Sequence, residues 1–125
     1  MDVGSVYIQI KRDYFPRWDS NNEWKLRIVD DLYGAQSGCN TESKTITLVR
    51  DCSIHPGDPK IAHLKVILIH EISHATARGF HDAEWITEME KASERAAHLG
   101  DMELARLIKE EVNRYIIRKK TTGVP

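Results

Sequence analysis

The segment H-E-I-S-H at residues 70–74 constrains the fold most, because it sets two histidines four residues apart. In an α-helix, residues at this spacing lie on one face, one turn above the other. Glu71, directly after the first histidine, projects about 100° further round the helix axis. The segment therefore predicts a helix that presents His70 and His74 to a common point, with a carboxylate beside them.

This helix is expected to run from about Pro59 to Arg78. Asp58 before Pro59 is typical of a helix start, because an acceptor side chain precedes a proline in the first turn. Gly79 is a natural stop. The side opposite the histidines is apolar, with Ile61, Leu64, Leu68, Ile72 and Ala75. We therefore predict that the helix is buried in the middle of the domain.

A metal ion is the chemistry that this pattern favours. Catalytic zinc takes three protein ligands and keeps an open position for water, and H-E-x-x-H is the arrangement that zinc metallopeptidases use. His70 and His74 would supply two ligands, and Glu71 would be the general base that activates a zinc-bound water. The alternative is that the motif occurs by chance and that both histidines are solvated. The position of the motif late in an apolar helix disfavours this alternative.

The third ligand must come from elsewhere in the chain, and there are two candidates. His81 follows the turn expected at Gly79, which lets the chain fold back towards the pair. Glu94 lies twenty residues after His74, in the next predicted helix. Gluzincins, one class of zinc peptidases, recruit a glutamate from such a downstream position. The spacing alone leaves both candidates open.

The motif and the residues that follow it resemble the SprT-like metallopeptidases. That family combines H-E-x-x-H with a downstream H-G-P-E-F/W-like segment whose histidine is the third zinc ligand. The segment H-D-A-E-W at residues 81–85 is similar at the histidine, the glutamate and the aromatic residue, and differs at the two residues between. The resemblance covers roughly residues 24–98. It implies one catalytic Zn²⁺ held by His70, His74 and His81, so we favour His81 over Glu94.

The resemblance also implies how a substrate binds. In zincins, the wider class, an edge strand above the active-site helix pairs with an extended polypeptide through backbone hydrogen bonds. The small residues from Ala35 to Cys39 are the candidates for that edge, with a plain loop as the alternative. Association with DNA is implied by the family alone, and no membrane partner is expected.

We therefore expect a zinc metalloendopeptidase that hydrolyses peptide bonds. Two rival hypotheses stay open. One is a gluzincin-like minimal peptidase with Glu94 as the third ligand. The other is a non-catalytic, zinc-containing module associated with peptides or DNA.

The remaining segments predict a zincin-like α+β fold, with a small, mostly antiparallel sheet packed on the H-E-x-x-H helix. Residues 3–10 could form a strand or the start of a helix, and their β-branched content favours the strand; alternation favours strands over 24–33 and 45–49. Residues 41–44 form a plausible hairpin turn. Two further helices are expected, one capped by Asp82 and ending near His98, the other capped by Asp101 and ending near Arg118.

The length of 125 residues fits one domain over residues 1–125, and we expect residues 121–125 to be a flexible tail. A net charge of −1 gives no global attraction to nucleic acid or to an anionic membrane. Neither a leader peptide nor a membrane-spanning run is recognisable. Cys39 and Cys52 lie outside any C-x-x-C pair, so we expect two reduced thiols in a cytoplasmic protein.

A few other residues have candidate roles. Tyr33 or Tyr115 could polarise the scissile carbonyl. Trp85 is expected to be a core anchor that holds the turn at His81. His63 is expected to be a polar residue near the helix start. The last helix and the tail could lie over the cleft and inhibit the enzyme.

Overall fold

The computed structural model describes residues 2–30, 32, 35, 37–49, 60–77 and 81–121, and only the backbone of residues 60 and 117–121. Three strands and four helices make up this part of the chain, in an α+β fold as predicted. In chain order they are α1 (Val3–Tyr14), β1 (Lys25–Val29), β2 (Ser37–Asn40), β3 (Thr45–Val49), α2 (Lys60–Ala77), α3 (Ala83–His98) and α4 (Met102–Thr121).

The first element is a helix, so the strand predicted over residues 3–10 is wrong. A strand would place Val6, Ile8 and Ile10 on one face, whereas the helix buries Val6 and Ile10 completely and leaves Ile8 64% exposed. Asp2 caps the N-terminus of α1 through its side chain. β-Branched residues favour strands only weakly, and the burial of one helical stripe overrides that preference here.

The sheet is mixed, which corrects the mostly antiparallel sheet expected from the sequence. Its strand order is β1-β3-β2, with β1 parallel to β3 and β2 antiparallel to β3. β2 and β3 form the predicted hairpin, with residues 41–44 as the turn. β2 follows β1 in the chain but lies on the far side of β3, and β1 and β3 run in the same direction. β2 is thus an edge of the sheet formed by the described strands.

One face of the sheet packs on the helices. Ile46 and Leu48 of β3 are buried and belong to the same hydrophobic core as Leu68 and Ile72 of α2. In the register of β2 and β3, Cys39 lies opposite Ile46 and Ser37 lies opposite Leu48. Side chains directly opposite each other point to the same face, so Ser37 and Cys39 point towards α2.

α2 is the buried central helix that the sequence predicts. It packs against α1, α3, α4 and β2, and its middle turns, with Leu68, Ile69 and Ile72, are completely buried. The observed helix, Lys60–Ala77, lies within the predicted range, and the residues predicted to begin and end it, Asp58, Pro59, Arg78 and Gly79, lie outside the described residues. Among the described residues, no helix is both long and apolar enough to cross a membrane.

The two C-terminal helices begin and end close to the predicted residues. Asp82 caps α3, accepting a hydrogen bond from the backbone N–H of Trp85 at 3.1 Å. Gly100 follows α3 with φ of +87°, a conformation that favours glycine. Asp101 then caps α4, which continues to Thr121, three residues beyond the predicted end at Arg118.

Asp19 holds the turn between α1 and β1. Its carboxylate accepts hydrogen bonds from the Lys11 Nζ and the Glu23 N–H, both at 2.7 Å, and from the Trp24 N–H at 3.2 Å. The side chain is only 2% exposed. Burial raises the pKa of Asp19, but these three donors outweigh it and leave the pKa below its ordinary value.

We expect Asp19→Asn to destabilise the protein at pH 7 by about 1–3 kcal/mol, because the charge-assisted hydrogen bonds are weakened. The pKa of Asp19 is lower in the folded state than in the unfolded state, where it is about 3.9, so the ionised carboxylate stabilises the fold above that pH. This stabilisation is lost as the pH falls through the pKa of the folded state. Urea unfolding at pH 7 and pH 3 should therefore show the difference between wild type and variant shrinking in acid. Glu42→Gln, at an exposed carboxylate of the hairpin turn, is the control. An undiminished difference at pH 3 would contradict this role of the charge.

Candidate metal centre

The described structure brings three histidines to one point. His70 and His74 come from α2, and His81 comes from the two residues that precede α3. Their Nε2 atoms lie 3.2 Å apart for His70 and His74, 3.1 Å for His74 and His81, and 3.0 Å for His70 and His81. We call these residues the three-histidine cluster. The sequence predicted all three members.

The cluster fits a metal ion by its chemistry and its dimensions. Zinc–nitrogen bonds of 2.0–2.1 Å in a tetrahedron place ligand nitrogens about 3.3 Å apart, close to the observed separations. The three imidazoles converge through the same ring nitrogen, and one shared cation would satisfy all three. Among the described residues, this is the group of histidine, cysteine and acidic side chains positioned to share an ion.

Trp85 packs against all three histidines of the cluster. Its indole is completely buried, and its ring centroid lies 5.0 Å from that of His70, 5.6 Å from that of His74 and 4.6 Å from that of His81. Its Nε1–H donates to the backbone carbonyl of His70 at 3.2 Å. The core-anchor role predicted for Trp85 is confirmed, and the same ring contacts all three ligand candidates.

Two side chains of α4 contact the three-histidine cluster. They are four residues apart in the sequence, so they lie on the same face of the helix. The Nδ1 of His70 lies 2.8 Å from the Oε2 of Glu111. The ring of Tyr115 stacks on His81, with centroids 3.7 Å apart and planes at 15°. A His70 Nδ1–H that donates to a carboxylate leaves Nε2 unprotonated and free to bind a metal.

Glu111 was missed by the sequence analysis. It is 41 residues from His70, and a glutamate among several on an amphipathic helix carries no signal of such a contact. The hydrogen bond from His70 lowers the pKa of Glu111, and the opposing effect of burial is smaller. Tyr115 was named as a carbonyl donor; the structure places its ring against His81, and the donor role stays a prediction. Tyr33 lies outside the described residues.

Glu71 sits beside the cluster on the side of the sheet. Its side chain is buried, with 5% of the residue exposed. The hydroxyl of Ser37, the first residue of β2, donates a hydrogen bond to the Oε2 of Glu71. The sequence suggested residues 35–39 as an edge strand or a loop; the structure shows a strand from Ser37, but nothing in the sequence pointed to the contact with Glu71.

Two other histidines and one cysteine among the described residues do not belong to the three-histidine cluster. His63 is exposed near the start of α2, as predicted, and His98 is exposed at the end of α3. Cys39 is a free thiol whose pKa is raised to about 11, first by burial and then by the negative charge of Glu71. At neutral pH this thiol is therefore protonated. Cys52 lies outside the described residues.

Glu94, the alternative third ligand, is not brought to the cluster. It lies nine residues after Trp85 on α3, half a turn round the helix at about 100° per residue. It is exposed and borders a groove between α3 and α4 with Glu90 and Lys109. The structure therefore gathers His81, and not Glu94, with His70 and His74.

No protein-family model matches the chain, and no similar sequence was found among curated proteins. Among solved structures, the chain is similar to the crystal structure of the metallopeptidase zymogen of Pyrococcus abyssi abylysin. The two share a TM-score of 0.56 and 22% sequence identity, over 78% of this chain and 90% of that chain. The chain thus shares its fold with that metallopeptidase over the matched part. The three-histidine cluster indicates a site that could hold a metal ion.

We expect Glu111→Gln to weaken the binding of a divalent metal ion about tenfold to a hundredfold, because carboxylate partners orient histidine ligands and raise their basicity. Competition titration with a chromogenic chelator would measure the affinity. Glu110→Gln is the matched control, since Glu110 is exposed and pairs with Arg106 on the same helix. Equal affinities for the two variants would show that Glu111 does not support the cluster.

Proposed function

We propose that the protein is a zinc-dependent metallopeptidase that hydrolyses peptide bonds. The observation that carries the proposal is the convergence of the three Nε2 atoms of His70, His74 and His81 beside the buried carboxylate of Glu71. Three imidazoles leave a fourth position of a tetrahedral ion open, which is the arrangement of a catalytic zinc site. The metallopeptidase fold of the chain supports this assignment.

In this mechanism, each residue of the site has one task. His70, His74 and His81 would hold the metal, which when bound would supply Lewis-acid chemistry for the peptide carbonyl and the attacking water. Glu71 accepts the proton of the attacking water and delivers it to the leaving amine. Its buried position limits competing solvent, which strengthens its electrostatic interactions with the reacting groups. Glu111 and Trp85 orient the imidazoles.

The substrate that we propose is an extended polypeptide bound along β2. This strand is at an edge of the described sheet and packs against α2. The free edge of such a strand can add a peptide through backbone hydrogen bonds. A relationship to the SprT-like peptidases, within a zincin-like fold, is supported by the segment at residues 81–85. An association with DNA rests on that relationship alone. We propose a cytoplasmic location, in keeping with the free thiol of Cys39.

Glu71→Gln tests catalysis. We expect the variant to keep one zinc ion per chain and to lose cleavage of an unfolded protein such as reduced casein by at least about a hundredfold, since general bases contribute about 10²–10⁴ in rate. Gel-based cleavage and metal analysis are the two measurements. Glu90→Gln, an exposed glutamate of α3, should cleave like the wild type. A wild type that binds zinc but cleaves neither casein nor itself would favour the non-catalytic module instead.

His81→Ala and Glu94→Ala, made separately, test the third ligand. We expect His81→Ala to lose stoichiometric zinc, because two imidazoles remain, and Glu94→Ala to retain it. Zinc is measured after dialysis against a weak chelator, with circular dichroism to show that both variants are folded. Full zinc in His81→Ala together with loss in Glu94→Ala would establish the gluzincin-like alternative.

A further inference from the structure

The hydroxyl of Ser37 and the carboxylate of Glu71 join the sheet to the active-site helix. Ser37 begins β2 and lies opposite Leu48 of β3, on the face that points towards α2. It donates its hydroxyl hydrogen to the Oε2 of Glu71 across a sequence separation of 34 residues. Ser37 belongs to the sheet and Glu71 belongs to α2, so the contact fixes the carboxylate of Glu71 relative to the backbone of β2.

A buried glutamate needs such a contact if it is to act as a base. Its side chain has several rotatable bonds, and a base is effective only when one oxygen lies within hydrogen-bond reach of the proton it accepts. The hydrogen bond from Ser37 to Oε2 restricts rotation of the Glu71 carboxylate, and so limits the directions in which its oxygens can accept this proton. A hydroxyl is suited to this task because it donates to the carboxylate without neutralising it.

We propose that Ser37 is a positioning residue that sets the orientation of Glu71 and links it to substrate binding on β2. This inference rests on the proposed function. A peptide that pairs with the outer edge of β2, to which none of the described strands pairs, would fix the backbone of that strand, including Ser37. The Ser37 hydroxyl would then fix the carboxylate of Glu71. Binding of an extended substrate and alignment of the base are therefore coupled through one side chain.

Two substitutions at position 37 test the proposal in the zinc-loaded protein. Ser37→Ala should lower kcat for a peptide substrate by about tenfold to a hundredfold, the loss expected for one hydrogen bond to a charged group, with a smaller change in KM. Ser37→Thr keeps the hydroxyl and suits a strand, so it should restore most of kcat. Zinc content should equal that of the wild type in both variants.

Ser93→Ala is the matched control. Ser93 is a buried serine, whereas Ser37 is half-buried, and the Ser93 hydroxyl donates to the backbone carbonyl of Ala105 at 2.8 Å, between α3 and α4. Removing it costs the fold a buried hydrogen bond without changing Glu71. We expect Ser93→Ala to lower the unfolding midpoint and to leave kcat unchanged.

A double-mutant cycle on unfolding tests the contact without using activity. The variants are Ser37→Ala, Glu71→Ala and the combination, all free of metal. Independent sites would multiply their effects on the unfolding equilibrium constant. For two side chains in contact, we expect a deviation from this product of about tenfold.

The outcomes separate this inference from the proposed function. An unchanged kcat in Ser37→Ala, no recovery in Ser37→Thr, or a cycle without coupling would each overturn the positioning role while leaving the peptidase intact. An inactive wild type would overturn both. Coupling in the cycle, with a fall in kcat that threonine reverses, would establish that Ser37 orients the base.

Discussion

The structure depends on holding three imidazole nitrogens 3.0–3.2 Å apart. Unprotonated nitrogens this close repel one another unless a metal ion or a shared proton lies between them, so the surrounding side chains must keep the rings in place. The protein does so by burying Trp85 beneath all three rings and by placing Glu111 behind His70. Both arrangements prepare the histidines for a metal, since the ligands need little reorganisation when the ion binds.

Several structural elements meet at this point, and each has a separate task. α2 carries two histidines and Glu71, the segment before α3 carries His81, α4 supports the rings, and β2 contacts the carboxylate of Glu71. α4 is therefore part of the site, whatever further role it has in covering a cleft. Removing the chain after Gly100 would delete Glu111 and Tyr115, so loss or gain of activity in such a truncation would report on the site as well as on inhibition.

Elements that are set by interactions between neighbouring residues could be predicted from the sequence, whereas elements that depend on distant residues could not. Asp82, Gly100 and Asp101 act on their own neighbours, so the bounds of α3 and the start of α4 could be read from local sequence. The prediction of a strand over residues 3–10 was wrong because β-branched residues have only a weak preference for strands. Burial of one face against the rest of the fold favours a helix there. The sheet was also misjudged, because the pairing of β1 with β3 joins segments about twenty residues apart.

The sequence by itself determined the buried helix, the pair His70 and His74, and the choice of His81 through its resemblance to a known motif. These follow from short-range spacing, which the period of a helix converts directly into geometry. Only the tertiary structure decided the surroundings of that site. The hydrogen bonds of Glu111 and Ser37 join residues 41 and 34 positions from their partners. No local pattern encodes such contacts, because they exist only after the sheet and α4 have packed on α2.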